Sequence, residues 1–334
     1  MTQRRQRRPA AGHDWGNPAS GAQDARQGAV VPSEHVQQVA FVHDWTRAAH
    51  SAEEGGRMTR FPRHMTLELT AKCNFRCPYC YCLWHEFPSI GAPELDTAGW
   101  KAVLDKCADD NVEDILFTGG EALLRPDIFR ILSYARRRLP KAGLSLFTNA
   151  SRLDESLILR FRRRRIRLAT SLQGLSTYGA MTGTRRTFGR LLALVARAGE
   201  LHWPISVSLT ITKANLREAA DMFAAAAISG AAAILVGPVM AGGRALAHPE
   251  LMLSRAEWES TKNAIRALPD AGVPFTFCDE FFCECRHDQP PAHLRRRWRD
   301  PGHTPCPAGR DFGVIGPAGR FRECLHSLAP AQIS

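Results

Sequence analysis

The sequence contains no long apolar segment. No uninterrupted apolar run among the 334 residues approaches the roughly 18 that a membrane-spanning helix needs. The arginines at 4–5 and 7–8 resemble the start of a twin-arginine export signal, but residues 9–27 include no apolar core of the kind that a signal peptide requires. We therefore expect no membrane segment, and a reducing cytoplasm as the compartment.

Lysine is scarce, since only 6 of the 44 basic residues are lysines. The net charge of +11 is carried instead by arginine runs, including 136–138, 162–165 and 295–297. Such runs can form surfaces that bind nucleic acid or an acidic peptide. The alternative, which we favour, is that arginine has replaced lysine as the ordinary solvated cation. Nucleic acid is accordingly not an expected partner.

Cysteine, in contrast, is plentiful, with 10 residues. Clustered cysteines in a reducing compartment favour metal binding over disulfides. Cys73, Cys77 and Cys80 follow the apolar run Met65–Leu69, which places them on a loop just beyond a predicted strand. Three thiolates can hold one side of a [4Fe–4S] cube and leave one iron open. A structural zinc site is the alternative, although zinc usually takes two paired C-x2-C units.

From Met65 onward, short apolar runs alternate with helical patterns. Six such steps predict a parallel sheet with helices packed outside it. The fold class is therefore α/β, an open, partial (βα)6 barrel whose ligands lie at the carboxyl ends of the strands. The predicted strands are Met65–Leu69, Val112–Thr118, Leu144–Thr148, Ile166–Leu172, Ile205–Ile211 and Ala232–Val239, and the predicted helices are Thr97–Ala108 after the cap Asp96, Pro126–Arg138, Glu155–Arg163, Phe188–Ala198 and Leu216–Ile228.

Composition divides the chain into three parts. Residues 1–57 are rich in Arg, Gln, Gly, Ala and Pro, and are predicted to be a largely disordered basic tail apart from a helical pattern over Glu34–Ala49. Residues 58–245 hold the six steps. Residues 246–334 contain a helical pattern near Arg255–Ala267, a short run at Val273–Phe277 and five of the ten cysteines. This last part is predicted to be a small domain stabilised by metal.

The cysteine loop resembles a known family signature. Its pattern, C-x3-C-x-aromatic-C with Tyr79 as the aromatic residue, is similar to that of the radical S-adenosylmethionine (SAM) superfamily. The resemblance implies a [4Fe–4S] cluster on Cys73, Cys77 and Cys80, whose open iron chelates SAM. It also implies an external electron donor such as flavodoxin or ferredoxin, and cleavage of SAM to methionine and a 5′-deoxyadenosyl radical.

The strand ends resemble the family's SAM-binding positions. Gly119-Gly120-Glu121 follows the second strand. Two glycines there permit close approach of the backbone to a ligand, and the resemblance implies that the triplet holds the SAM amino group. The third strand ends in Thr148-Asn149-Ala150, similar to the family's Thr-Asn-Gly. The resemblance implies further SAM contacts, at Tyr79, Thr148, Asn149, Ser171, Ser208 and Val236.

The chain also departs from the family. Gln173 stands where Asp is common, and Tyr178-Gly179 stands where His-Asp is common, ahead of Thr182-Gly183. Any acid–base or substrate contact that the His-Asp pair supplies elsewhere is not expected here. The Gly243-Arg244-Ala245 turn resembles the Gly-Arg-Ala turn that leads into the C-terminal domain of peptide-modifying members.

The C-terminal cysteines resemble a second pattern. Cys306 and Cys324 flank a predicted hairpin, Phe312–Ile315 and Arg320–Arg322, similar to the opening half of the SPASM domain. The chain stops ten residues after Cys324, so we expect one auxiliary [4Fe–4S] cluster in a shortened, twitch-like domain. Free buried thiols are the alternative. The predicted upstream ligands are Cys283 and Cys285, with Cys278 as the substitute, and the predicted non-ligands are Cys82 and Cys107.

The resemblance implies an enzyme that acts on a substrate by hydrogen abstraction. The arginine-rich surface suits an acidic leader segment, which favours a ribosomally synthesised precursor peptide that is crosslinked, oxidised or epimerised. The alternatives are a radical SAM dehydrogenase or epimerase acting on a small molecule or sugar, and a non-catalytic iron–sulfur protein that binds a partner or transfers electrons.

Overall fold

The computed structural model describes residues 60–278 and 308–325. All six predicted strand–helix steps are confirmed, and the observed ends of strands and helices differ from the predicted ones by at most three residues. The strands are β1 (His64–Glu68), β2 (Asp114–Thr118), β3 (Gly143–Phe147), β4 (Arg167–Leu172), β5 (Ile205–Ile211), β6 (Ile234–Pro238), β7 (Phe275–Phe277), β8 (Phe312–Ile315) and β9 (Phe321–Arg322). The helices are α1 (Pro88–Gly91), α2 (Thr97–Asp109), α3 (Ile128–Arg138), α4 (Glu155–Arg163), α5 (Tyr178–Thr182), α6 (Phe188–Glu200), α7 (Ala219–Ile228) and α8 (Arg255–Arg266), with short 3-10 helices that include Leu83–His85, Ala122–Leu124 and Leu216–Glu218.

Side-chain caps explain where several helices begin. Asp96 accepts a hydrogen bond from the Gly99 N–H over 2.8 Å and starts α2 as predicted. Asp154 accepts one from the Leu157 N–H over 2.8 Å and starts α4. The α8 helix begins with a capping box in which Ser254 and Glu257 satisfy each other's backbone N–H groups. Such caps satisfy donors that the first helical turn leaves without partners.

The strands form one sheet in the order β7-β6-β5-β4-β3-β2-β1-β8-β9. All neighbouring pairs are parallel except β8 and β9, which are antiparallel. Because the strands before β9 share one direction, their carboxyl ends lie along the same edge. That edge is where the sequence predicts the ligand site.

The two faces of the sheet differ in chemistry. Along β5, Ile205, Val207, Leu209 and Ile211 are buried in the hydrophobic core, whereas the serines and threonine between them are half-buried. Successive strand residues point to opposite faces, so the apolar face packs on the helices and the other face is polar. A polar inner face is what a barrel that binds a polar ligand requires.

The described part of the predicted C-terminal domain extends the barrel sheet. Strand β7 pairs with β6 at one edge, and β8 pairs with β1 at the other. The predicted hairpin is confirmed, although its second strand covers only Phe321–Arg322. Residues 279–307 and 326–334 lie outside the described residues, so the predicted boundary at 245 stays a prediction.

Part of the arginine-rich surface is structural. Arg136 donates hydrogen bonds to the carbonyls of Ala142 (2.9 Å), Arg164 (3.1 Å) and Arg165 (2.8 Å). Arg164 donates to Arg160 O over 3.0 Å and lies over the ring of Phe129. These side chains satisfy carbonyls near the ends of α3 and α4 and are not free to bind a partner. None of the described helices is long and apolar enough to cross a membrane.

Candidate functional site

The cysteine loop is attached to the end of β2 by backbone hydrogen bonds. Beyond the strands, Gly120 N–H donates to Thr70 O over 2.7 Å, and Glu121 N–H donates to Lys72 O over 2.8 Å. A Cβ on Gly119, whose φ is +137°, would lie 2.5 Å from Thr70 O, and a Cβ on Gly120 would overlap Lys72 O. The space that a side chain at either position would need is filled by the backbone leading into the cysteine loop, and the predicted SAM contact of these two glycines stays a prediction.

Glu121 is fully buried and receives only neutral hydrogen bonds. Its carboxylate accepts from Thr148 Oγ1 (2.7 Å), Asn149 N (2.7 Å) and Leu123 N (3.0 Å). Burial raises the pKa of this carboxyl, and the hydrogen bonds offset only part of that rise. Among the described residues, no Lys, Arg or His forms an ion pair with it within 4 Å. A buried carboxylate without a counter-ion fits a site for a ligand's cationic group.

Asn149 joins this carboxylate to the cysteine loop. Its amide nitrogen lies 3.0 Å from Asn74 Oδ1 and 3.9 Å from Cys73 Sγ. Asn74 in turn donates to Ser151 Oγ over 2.8 Å. Ala150 has a φ of +56°, a left-handed conformation that favours glycine. The structure therefore brings Glu121, Thr148, Asn149 and Cys73 together.

The opposite side of the cysteine loop is held by the turn after α5. Arg76 N–H donates to Thr182 O over 3.1 Å. Gly183 has a φ of +63°, and a Cβ there would lie 3.0 Å from Arg76 O. The Thr182-Gly183 pair therefore supports the loop through its backbone. Tyr178 and Gly179 lie within α5, and Tyr178 is buried.

The Gly243-Arg244 turn also contacts the cysteine loop, which sequence reasoning missed. Arg244 Nη1 donates to Cys77 O over 3.3 Å. Gly243 has a φ of +56°, and a Cβ there would lie 2.5 Å from Cys80 O. The sequence signal for this contact is a glycine after a strand end. Such a glycine indicates a close approach of the backbone to another segment, but it does not indicate which segment that is.

One of the three thiols has a side-chain hydrogen-bond donor: the amide nitrogen of Asn149 lies 3.9 Å from Cys73 Sγ. Burial raises the pKa of Cys77 to about 12. The neighbouring side chains of Cys82 and His85 hold the pKa of Cys80 well below its usual range.

The donor set fits an iron–sulfur cluster. No group of three or more His, Cys, Asp or Glu side chains in residues 60–278 and 308–325 could hold a metal ion. Convergence on one ion is what tetrahedral zinc requires, whereas the thiolates of a cube bind different irons. Three thiols on one loop that do not converge on a single ion therefore fit a cube better than zinc.

The remaining predicted SAM-binding residues are two serines on the polar face of the sheet, Val236 on its apolar face, and Tyr79 in the cysteine loop. Ser171 and Ser208 are direct neighbours in the β4–β5 register and are both half-buried. Val236 pairs with Leu209 in that sheet and is fully buried in the hydrophobic core. Its side chain lies on the helix-packing face, so the predicted contact could use only its backbone. Tyr79 packs against Val239, Ala245 and Met252.

The predicted auxiliary-cluster ligands are only partly described. Cys283, Cys285 and Cys306 lie outside the described residues. Cys278 is buried, and its N–H donates to Val236 O over 2.8 Å beyond β7. Cys324 is half-buried and follows β9. Cys82 and Cys107 are buried, Cys107 within α2.

A buried ion pair joins the hairpin to β1. Glu68, the last residue of β1, is paired with Arg322 of β9, and their side chains are 1% and 2% exposed. Arg322 Nη1 also donates to Leu325 O over 3.0 Å. Sequence reasoning missed this pair, because the two residues are 254 positions apart.

Known proteins resemble the chain in sequence and in fold. The model of the radical SAM superfamily matches residues 67–226. An AdoMet-dependent heme synthase of Methanosarcina barkeri is 32% identical over 56% of this chain and 53% of its own length. A PqqA peptide cyclase of Gluconobacter oxydans is 30% identical over 62% of this chain and 58% of its own. The chain therefore spans little more than half of these relatives.

Among solved structures, Streptococcus suis SuiB superimposes with a TM-score of 0.61 at 16% identity, covering 82% of this chain and 63% of SuiB. At that identity the likeness concerns the fold alone. It agrees with the parallel sheet and intervening helices described above.

Proposed function

Because residues 67–226 match the model of the radical SAM superfamily, we propose that this protein is an enzyme that binds a [4Fe–4S] cluster and SAM at the carboxyl ends of β1–β3. The observation that carries the proposal is Glu121, a buried carboxylate that forms no ion pair within 4 Å among the described residues and is joined to Cys73 through Asn149. When bound, the cluster and SAM together supply the 5′-deoxyadenosyl radical that abstracts hydrogen from a substrate.

The chain's own residues have separate tasks in this proposal. Cys73, Cys77 and Cys80 hold the cluster. Glu121 accepts the SAM ammonium and is held in place by Thr148 Oγ1 and Asn149 N–H, both at 2.7 Å. The neighbours Ser171 and Ser208 supply hydroxyls on the polar face of the sheet.

The proposed substrate is a precursor peptide. Support comes from the PqqA peptide cyclase, whose name states a peptide substrate and which is 30% identical. The second candidate is a small molecule, because the heme synthase is 32% identical. Product analysis separates the two: incubation with candidate peptides should change peptide mass through crosslinking or oxidation, or should yield a D-residue on chiral amino-acid analysis through epimerisation. A small-molecule enzyme would leave every peptide unchanged in both measurements.

The C-terminal cysteines are proposed to hold one auxiliary [4Fe–4S] cluster through Cys306 and Cys324, with upstream ligands from Cys283 and Cys285 or the substitute Cys278. Two cubes correspond to about eight irons per chain. Four irons in reconstituted protein would contradict this part of the proposal and leave the SAM site standing.

The central test replaces Cys73, Cys77 and Cys80 together with alanine. Reconstituted wild-type protein, reduced with dithionite, should form 5′-deoxyadenosine from SAM, and the triple variant should form none. Cys107→Ala is the matched control, since Cys107 is a core residue of α2. Formation of 5′-deoxyadenosine by the triple variant would show that the cysteine loop is not the cluster site.

A further inference from the structure

Exposed basic side chains surround the outer side of the cysteine loop. Arg76 belongs to the loop, and its N–H donates to Thr182 O over 3.1 Å. A Cβ on Gly183 would lie 3.0 Å from the Cβ of Arg76, so the segment after Gly183 runs beside the loop. Five exposed basic residues on the loop or on segments that contact it form what we call the cationic rim: Lys72, Arg76, Arg152, Arg185 and Arg186.

Two further contacts attach the rest of the rim to the loop. Ser151, which precedes Arg152, accepts a hydrogen bond from Asn74 Nδ2 over 2.8 Å. Arg186 lines a small cavity together with Phe75 of the loop. The rim therefore consists of three chain segments that the fold brings together around the cysteines.

The positive charge of the rim is not neutralised by the described residues. None of the five side chains forms an ion pair or a side-chain hydrogen bond among them. The charge of Arg152 lowers the pKa of the buried Glu121, but the two groups are too far apart to form an ion pair. The exposed acids that follow are engaged elsewhere: Asp154 accepts from the Leu157 N–H over 2.8 Å, and Glu155 pairs with Arg197 over 3.0 Å. Unpaired surface charges of one sign attract a partner of the opposite sign.

The rim lies on a different side of the loop from the polar face of the sheet. The cavity that Arg186 lines also has Tyr178 and Leu191 in its wall, and both belong to the hydrophobic core beneath the helices. Ser171 and Ser208 lie on the opposite, polar face. A substrate that loses hydrogen to SAM chemistry must reach the polar face, whereas a partner on the rim reaches the cysteine loop from outside the sheet.

We propose that the cationic rim is the docking surface of an acidic electron-donor protein. This inference rests on the proposed function, in which Cys73, Cys77 and Cys80 hold the cluster. Cys73 is exposed and follows Lys72 directly, so a donor that covers the rim brings its redox group to the edge of the loop. One electron passes from the reduced donor to the cluster, and no bond or proton is exchanged. Complementary charge speeds such encounters, whose interfaces are small.

The test measures the Kd of oxidised flavodoxin, an acidic FMN protein, for the reconstituted full chain at low and at high salt. The rim variant carries Arg76→Gln, Arg185→Gln and Arg186→Gln, which removes charge and keeps polar side chains. Its Kd at low salt should be about tenfold higher than that of wild type, because steering charges are lost. Its Kd should also depend less on salt. Formation of 5′-deoxyadenosine with dithionite should stay at the wild-type rate.

The matched control carries Arg137→Gln, Arg163→Gln and Arg165→Gln. It removes the same charge from exposed arginines between helices α3 and α4 and the amino ends of β3 and β4, so the Kd should not change. An equal rise of the Kd in both variants would reduce the effect to net charge and overturn the docking surface.

A second variant, Lys72→Gln with Arg152→Gln, serves if the rim variant retains no iron, and it should raise the Kd in the same direction. Loss of iron from both variants would overturn the inference by giving the rim a structural role.

The rate of cluster reduction separates a donor site from a site for some other acidic segment. Reduction by limiting reduced flavodoxin, followed by the absorbance of the cluster, should be slower in the rim variant than in wild type. A higher Kd with an unchanged rate of reduction would mean that the rim binds acidic segments in general, and the inference would be wrong.

The two proposals fail in different ways. If wild-type protein reduced with dithionite forms no 5′-deoxyadenosine, the proposed function is wrong. If it forms 5′-deoxyadenosine, but flavodoxin does not bind wild type measurably or binds the rim variant equally well, only the inference about the rim is wrong.

Discussion

Two buried carboxylates lie at the ends of neighbouring strands and have opposite surroundings. Glu68 ends β1, is 1% exposed and is paired with the guanidinium of Arg322. Glu121 follows β2, is also fully buried, and accepts hydrogen bonds from Thr148, Asn149 and Leu123, which are all neutral. One carboxylate has its cation within the protein, and the other has neutral donors only.

The difference separates a structural role from a binding role. A buried carboxylate must be paired or it loses free energy relative to water. The hairpin strand β9 supplies Arg322 to Glu68 because β8 pairs with β1. Glu121 is one strand further along the sheet, and there it forms no ion pair within 4 Å among the described residues; the more distant charge of Arg152 only lowers its pKa in part. The topology therefore decides which carboxylate is left for a ligand.

The largest expected effect follows removal of the structural cation. Arg322→Ala leaves Glu68 buried without a partner, which should lower the free energy of unfolding by about 3–5 kcal/mol. Urea unfolding followed by circular dichroism measures it. Arg320→Ala is the matched control, because Arg320 is exposed in the same hairpin and its loss should change stability by less than about 0.5 kcal/mol.

The double variant Glu68→Gln, Arg322→Met sharpens this test. It removes both charges, so it should be more stable than Arg322→Ala alone. Equal stability of Arg322→Ala and wild type would mean that the pair does not attach the hairpin to β1.

The second effect concerns ligand affinity. Glu121→Gln removes the proposed charged acceptor for the SAM ammonium, which should weaken binding by about 1.5–3 kcal/mol, or about ten- to a hundredfold in Kd. Isothermal titration of reconstituted protein with SAM measures it. Glu113→Gln is the control, since Glu113 pairs with Arg63 at the surface. Unchanged affinity in Glu121→Gln would remove the distinction between the two carboxylates.

The third effect is the pH dependence of that affinity. Burial raises the pKa of Glu121. The carboxylate is therefore protonated, and unable to pair with the SAM ammonium, at pH values where an exposed glutamate would still be ionised. Affinity should fall as pH falls through this raised pKa, and the affinity of Glu121→Gln should lack that step. In ligand-free protein the sign reverses: the contribution of Glu121 to stability is present below its unfolded pKa and is lost as pH rises through the folded one.

The smallest effect concerns the residue beside the site. Ala150 has a φ of +56°, and relief of that strain by Ala150→Gly should outweigh the added flexibility of the unfolded chain by at most about 1 kcal/mol. Thermal unfolding measures the change. Ala214→Gly, at a position without a positive φ, should instead destabilise. A loss of stability in Ala150→Gly would mean that the left-handed backbone is not strained.

Periodicity predicts local structure well here. The strand Ile205–Ile211 and the helix Glu155–Arg163 have the predicted ends, because alternating burial and a side-chain cap are local properties. The predicted 13-residue helix from Leu216 instead begins as a 3-10 turn, and α7 starts at Ala219. Helix ends depend on neighbouring packing, which the sequence pattern does not contain.

The sequence by itself determined the chemistry of the site: three thiols on one loop, a carboxylate and an Asn at the next two strand ends, and the parallel order that gathers them. Only the tertiary structure decided which groups support them. It showed that Gly119 and Gly120 make room for backbone, that Arg244 reaches both Cys77 O and His85, and that Arg322 meets Glu68. The contacts of Arg244 and of Arg322 join segments more than 150 residues apart in the sequence. Residue spacing along the chain carries no information about such distant neighbours.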